Sequence, residues 1–295
     1  MRTRYFVAVA VLLLCLYAAV FHLSTTYDDY SRYNVQWNGT STFFSHLEGH
    51  GAQMVTDRDD LITYDNALLL VIAPDGPPDP ERARAYRNFL AHNNTLLLCD
   101  DTGEIAPLLE GLQSTISVLP GTVSSVERDY VTTAAVRGYA AGNHTLIDGV
   151  PAVLFNRPMA LEGGTPFLQT SLLSWADENG NGRIDGEESV GRYDLVAYEE
   201  IGGGELVVVG DPGIFLNSMA GLGEGNEMFL KNLLSLRPVV LVDEGWSRTS
   251  TGGPYTGAIL WVKDHPIVQI GIVALFIGGA VYVFRKRIRK EKKCN

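Results

Sequence analysis

Residues Asp177 to Glu188 read Asp-Glu-Asn-Gly-Asn-Gly-Arg-Ile-Asp-Gly-Glu-Glu, and their types and spacing could hold a hard cation. Side-chain oxygens fall at loop positions one, three, five, nine and twelve, with Gly182 at six and Ile184 at eight. A twelve-residue calcium loop spaces its donors this way, because six to eight oxygens at roughly 2.3 to 2.6 Å must converge on one ion. Asp177, Asn179 and Asn181 would supply one oxygen each, Arg183 its carbonyl, Asp185 a direct or water-bridged contact, and Glu188 both carboxylate oxygens. Gly182 permits the sharp turn. The plainer alternative is a polar turn held by the hydrogen bonds that Asn and Asp make to their own backbone.

Other residues with chemical potential are less ordered. Asp75, Asp100, Asp101, Asp211 and Asp243 each follow an apolar run of strand length. If those strands are parallel, the carboxylates gather at the carboxyl edge of the sheet, where open α/β sheets bind ligands. The competing account makes them helix caps and turn formers, which suits Asp79-Pro80 and Asp211-Pro212. His46 and His50 stand one helical turn apart, but Glu48 is misplaced for a zinc protease and no third ligand is evident. Cys99 lacks the flanking glycines of a strained nucleophile turn and reads as a small buried hydrophobe. Neither a P-loop, a G-x-S-x-G nor a G-x-G-x-x-G motif occurs.

The elements that must position these groups follow an α/β rhythm. Thr40 to His50 has helical spacing of Phe43, Phe44 and Leu47, and Ala52 to Val55 reads as a short strand. Ala67 to Ala73 is a continuous apolar strand, Asp79 caps a helix that opens on Pro80, Thr95 to Cys99 is the next strand, and Glu104 to Leu112 the next helix. Such runs, apolar on both faces and alternating with helices, predict a parallel sheet covered on both sides. Short strands follow at Ile116 to Leu119, Thr145 to Ile147, Ala152 to Phe155 and Pro166 to Thr170, leading into the acidic loop. A hairpin about Gly202-Gly203-Gly204 joins Leu195 to Glu199 with Glu205 to Val209. Helices from Asp211 to Met219 and from an Asn226 cap to Leu236 precede a last strand, Val239 to Val242.

Two apolar runs bound this pattern, Tyr5 to Leu23 and Ile267 to Phe284, each close to the ~20 residues that cross a bilayer as a helix. Arg2 and Arg4 precede the first, and seven basic residues from Arg285 to Lys293 follow the second. The positive-inside rule then puts residues 1–4 and the tail 285–295 in the cytoplasm, with spans at 5–23 and 267–284, an extracellular domain at 24–246 and a Ser, Thr and Gly-rich linker at 247–266. Of 23 basic and 34 acidic residues, 14 and 33 lie between the spans, a net charge of −19 that argues against a nucleic-acid partner. Cys99 alone falls in that domain, which excludes a disulfide within it. Glycosylation sequons stand at Asn38, Asn93 and Asn143.

YNVQWNGTS, ALLLVIAP, TLLLCDDTG, SWADENGNGRIDGEE, GGGELVVVGDPGIFLNSM and GNEMFLKNLL together resemble a family of archaeal and bacterial membrane proteins known only as a domain of unknown function. The exported part of that family resembles the class I glutamine-amidotransferase fold, shared with an auxiliary component of gliding-motility transport systems. The resemblance implies a three-layer, mostly parallel, flavodoxin-like sheet with a β-rich calcium-loop insertion, flanked by two transmembrane helices. This chain has no G-x-C-x-G elbow and no late His-x-Glu pair, so the resemblance implies a fold without its glutaminase machinery. The expectation is a membrane-anchored, non-catalytic binding or scaffold domain that takes Ca²⁺ and a partner at the cell envelope. A hydrolase using Asp100, Asp101 or Asp211 is the alternative.

Overall fold

In the computed structural model the described residues are 11, 13–15, 17, 18, 20, 25–127, 132–186, 188–253 and 255–291. Two units separate by their contacts, residues 27–251 and a second one made of 1–26 with 252–295. In the larger unit a helix α1 (Ser41–Gly49) leads into β1 (Gln53–Val55), then β2 (Ala67–Ile72), α2 (Pro80–Leu90), β3 (Thr95–Cys99) and α3 (Ala106–Leu112). After α3 the chain runs through short strands: β4 (Ser117–Val118), β5 (Thr122–Ser125), β6 (Ala135–Ala140), β7 (Ala152–Asn156), β8 (Leu161–Glu162), β9 (Thr165–Gln169), β10 (Ser174–Asp177) and β11 (Val190–Gly191). The longer β12 (Asp194–Ile201) and β13 (Gly204–Val209), then α4 (Glu224–Leu234) and β14 (Val239–Asp243), complete the unit.

The main sheet has 11 strands, with the principal order β1-β14-β2-β3-β13-β12-β9-β6-β7. Its first part, from β1 to β13, is parallel as expected. From β13 onward every pairing in the sheet is antiparallel, so antiparallel pairs predominate. The expected mostly parallel, flavodoxin-like sheet is therefore overturned. The physical reason lies in the connections. A parallel pair needs a crossover of a dozen or more residues, usually a helix, and the chain between α3 and β13 has none among the described residues. Turns and hairpins of that length reverse the strand direction instead. Gly202 and Gly203, at φ 64° and 97°, form the two-residue turn that pairs Ile201 with Gly204.

The parallel part is covered on both faces, which explains why β2, β3 and β13 are apolar without alternation. On one side, Tyr86, Phe89 and Leu90 of α2 and Leu108 and Leu112 of α3 pack on Leu69, Leu96 and Val208. On the other, Phe43 and Leu47 of α1 and Phe229 and Leu233 of α4 pack on Leu68, Leu97 and Val207. Each large side chain buried in this way contributes about 1.5 to 3 kcal/mol. Asp79 caps α2 as expected, accepting from the N–H groups of Glu81 and Arg82.

Four local expectations fail. Residues 145–147 form a short 3-10 turn rather than a strand, and 212–215 another rather than a helix reaching Met219. Asn226 does not cap α4: its amide is turned into the core, where it accepts from Leu154 N and donates to Leu154 O on β7. The expected linker 247–266 also contains a helix, α5 (Thr256–Asp264), followed by α6 (Pro266–Glu291).

The two-span membrane arrangement is overturned as well. Among the described residues no single helix is long and apolar enough to cross a membrane; Thr256–Val262 and Pro266–Phe276 meet the length and composition only as a pair, bent by 95°. His265 precedes Pro266, and a residue before proline is pushed out of the helical region, which breaks the run there. The expected first span, 5–23, and the end of the tail fall largely or wholly outside the described residues.

Candidate functional site

A separate three-stranded sheet, β11-β10-β5, holds the acidic loop. Asp177 is the last residue of β10 and pairs with Thr122 of β5, while Trp175 pairs with Val190 at the other end of the loop. Trp175 is almost wholly buried and anchors this small sheet. The loop is thus the connection of a β-hairpin, its two ends held about one strand spacing apart.

Within it, backbone donors fix the oxygens. Asp177, itself 3% exposed, accepts from Asn181 N at 3.0 Å on Oδ1, and on Oδ2 from Gly182 N at 2.8 Å and Ser124 Oγ at 3.3 Å. Asn179 Oδ1 accepts from Asn181 N at 3.0 Å, and Asn181 Oδ1 from Arg183 N at 2.7 Å. Glu188 Oε2 accepts from Asp185 N at 2.9 Å, and the buried Oε1 has no hydrogen-bond partner. Asp185 Oδ2 gathers both amide groups, from Asn179 Nδ2 at 2.7 Å and Asn181 Nδ2 at 2.8 Å. Those two bonds hold the Asp185 carboxyl below its ordinary value. Gly180 and Gly182 both sit at φ 70°, the left-handed turn that glycine adopts at least cost.

The loop's hydrogen bonds thus link Asp177 to the backbone of Asn181 and Gly182, Asn179 and Asn181 to Asp185, and Glu188 to the backbone of Asp185. Among the described residues no group of three His, Cys, Asp or Glu is placed to hold a metal. The loop's donors are of mixed kind, with two carboxamides and the Arg183 carbonyl beside its carboxylates. A carboxyl or carboxamide oxygen has two lone pairs, and one backbone N–H occupies only one of them. The donor set suits a hard, oxygen-seeking ion such as calcium. A polar cavity of about 540 Å³ lies alongside, lined by Thr122, Ser124, Thr133, Arg157, Asp177 and Asn181 among others. Sequence reading missed it, because only the pairing of β5 with β10 brings Thr122 and Ser124 to the loop.

The strand-end carboxylates do reach one edge of the parallel strands, but most are committed to the fold. Asp100 accepts from Thr102 N at 2.9 Å, Thr102 Oγ1 at 2.6 Å and Ile105 N at 3.1 Å, turning the chain into α3. Asp243 accepts from Arg82 Nη1 and Trp246 N, both at 2.9 Å, and from the Tyr86 hydroxyl. Asp211 is fully buried and accepts from the N–H groups of Asn156 and Gly213. Burial pushes its carboxyl up to about 7 against the pull of Asn156 N–H, with the Asp101 charge adding to the rise. Asp101 differs: Oδ2 accepts from Tyr30 at 3.0 Å, Oδ1 is buried without a partner, and the Arg248 guanidinium lies 4.8 Å from the Tyr30 ring centre. No sequence signal marked Tyr30 or Arg248. Cys99 is fully buried on β3 and burial pushes its thiol up, as befits a core residue rather than a nucleophile.

The sequons differ in access. Thr40 and Thr95 are buried, and the Asn38 amide donates to Asp29, whereas Asn143 and Thr145 are both exposed. His46 on α1 and His50, the residue that caps its end, both line a second cavity.

A family model described as a domain of unknown function, DUF4350, matches residues 32–234. In fold the chain is similar to the mmIFT52 N-terminal domain, at 13% identity and a TM-score of 0.51 over 66% of this chain and 88% of that one. The cytoplasmic protein STM1381 from Salmonella typhimurium LT2 matches at 12% identity and a TM-score of 0.36, over 68% of this chain and 87% of that one. No curated protein matches this chain.

Proposed function

Because the chain belongs to the DUF4350 family, whose description assigns no activity, we propose from its own residues that it is a non-catalytic binding or scaffolding domain with a calcium-dependent loop at 177–188. The observation that carries this reading is the directed set of loop oxygens. Asp177, Asn179, Asn181 and Glu188 each have an oxygen aligned by a backbone N–H, and Glu188 Oε1 is left over. A calcium ion would take the Asp177, Asn179 and Asn181 oxygens, the Arg183 carbonyl, Asp185 and Glu188. It would displace the two amide contacts now made to Asp185.

The strand-end acids favour the same reading over the hydrolase alternative. Of the three acids that alternative names, Asp100 and Asp211 already accept backbone N–H bonds that hold the fold, and Asp101 accepts from Tyr30. Extracellular calcium is the setting this reading assigns to the loop, since a site with a dissociation constant of about 10⁻⁴ M fills there. Binding to the folded loop alone then adds about 1.4 kcal/mol of stability at tenfold excess over that constant. Thermal melts of the full chain with and without calcium test it. The expected outcome is a higher melting temperature with calcium, absent in Asp177→Ala combined with Glu188→Ala. A melting temperature indifferent to calcium, with no heat on calorimetric titration, would falsify it.

A further inference from the structure

The second cavity, about 570 Å³, lies between α1 and α4 over the turn at 212–221. Its floor is apolar, made by Phe43, Ile214, Phe215, Leu216, Leu230 and Leu234. Phe43 and Phe215, with ring centres 4.6 Å apart, belong to the main core and are almost fully buried, so the floor is preformed. Its rim is polar: His46 from α1 and His50 just past its end, Lys231 and Glu227 from α4, and the small Ala220 and Gly221 at the turn. Volume, apolar floor and a few polar groups at one side are the usual attributes of a small-molecule site. A helix or strand of a partner would need a longer groove than α1 and α4 provide, at nine and 11 residues.

The rim charges indicate what enters. In a chain with a net charge of −11, this mouth carries one carboxylate against one ammonium and two imidazoles. Glu227 and Lys231 stand four apart on α4, the spacing of a helical ion pair, yet among the described residues Lys231 is paired with no carboxylate. His50 Nδ1 lies 2.8 Å from the His46 carbonyl, which only accepts, so that nitrogen carries the hydrogen and Nε2 of the neutral ring accepts; among the described residues His46 makes no such ring contact. We propose that this cavity binds an amphipathic monocarboxylate, its hydrocarbon chain against the half-buried Leu230 and Leu234 and its carboxylate at Lys231 beside His46. This inference is independent of the calcium loop, which belongs to a different sheet.

Calorimetric titration of the full chain with octanoate, and in parallel with octanol, tests it. Saturable binding of octanoate, with octanol clearly weaker, is expected. Lys231→Met and His46→Gln, both at exposed positions, should each weaken octanoate binding about two- to fivefold while leaving the melting temperature unchanged. Glu227→Gln should tighten it by a similar factor. Ala220→Trp, which fills the mouth from an exposed position, should abolish it. The proposal is overturned if octanoate gives no saturable heat, if octanol binds equally well, or if Ala220→Trp leaves binding intact in a chain that melts normally.

Discussion

The two acidic regions of this molecule have similar residues and, Asp177 apart, different fates. At the edge of the parallel strands, Asp100, Asp211 and Asp243 are buried and accept two or three hydrogen bonds each from backbone or from Arg82 and Tyr86. In the hairpin loop, Asp177 is likewise buried and accepts three hydrogen bonds, whereas Asn179, Asn181 and Glu188 each accept one backbone bond and Asp185, at the surface, accepts only from two side-chain amides. A buried carboxylate left unpaired is costly, so burial commits it to the fold. An exposed one keeps spare lone pairs. Acidity by itself therefore does not mark a ligand site; uncommitted coordination does.

The largest expected effect breaks the buried side of this contrast. Arg82→Met leaves Asp243 buried without its ion pair and should cost about 3 to 5 kcal/mol, read as a fall in the urea midpoint. A loss no larger than that of a surface substitution would show that Asp243 is not committed as described.

The next effect is one of pH. The Asp211 carboxyl holds its proton more tightly folded, at about 7, than at its ordinary 3.8. Its stabilising contribution is therefore full below about pH 4 and is lost as pH rises through 7. Asp101, raised in the same direction by burial, adds to the slope. Stability curves across that range should fall with pH in the native chain and flatten in Asp211→Asn, even though the variant loses a hydrogen bond. An unchanged slope would remove Asp211 as its source.

The smallest effect belongs to the loop. Gly182→Ala, at φ 70°, should cost about 1 kcal/mol and weaken the response to calcium. The added Cβ would stand 3.1 Å from Thr133 Oγ1, a contact that a small shift relieves. If the variant melts normally and responds fully to calcium, the turn at position six does not set the loop's geometry.

Much of the parallel part was legible because local signals agree there. Apolar runs such as Ala67–Ile72 and Thr95–Cys99, the Asp79-Pro80 cap and the paired glycines of the β12–β13 turn each act within a few residues. The remainder of the sheet was not legible. β5, β6 and β10 are short and partly polar, and Asn226 resembles a cap until β7 supplies the backbone that it bridges. The spacing of the loop's oxygens stands in the sequence, but the hairpin that closes the loop was not foreseen.

By itself, the order of residues determined which segments are strands in the parallel core, where one helix begins, and which oxygens stand at calcium spacing. All of these depend on neighbours no more than about a dozen positions apart. Tertiary structure alone decided that antiparallel pairs predominate and that Asp211 is buried while Asp185 is not. It also brought α1 beside α4 to enclose an apolar cavity under a polar rim. Those outcomes turn on burial and on contacts between residues far apart in the chain, which local pattern does not encode.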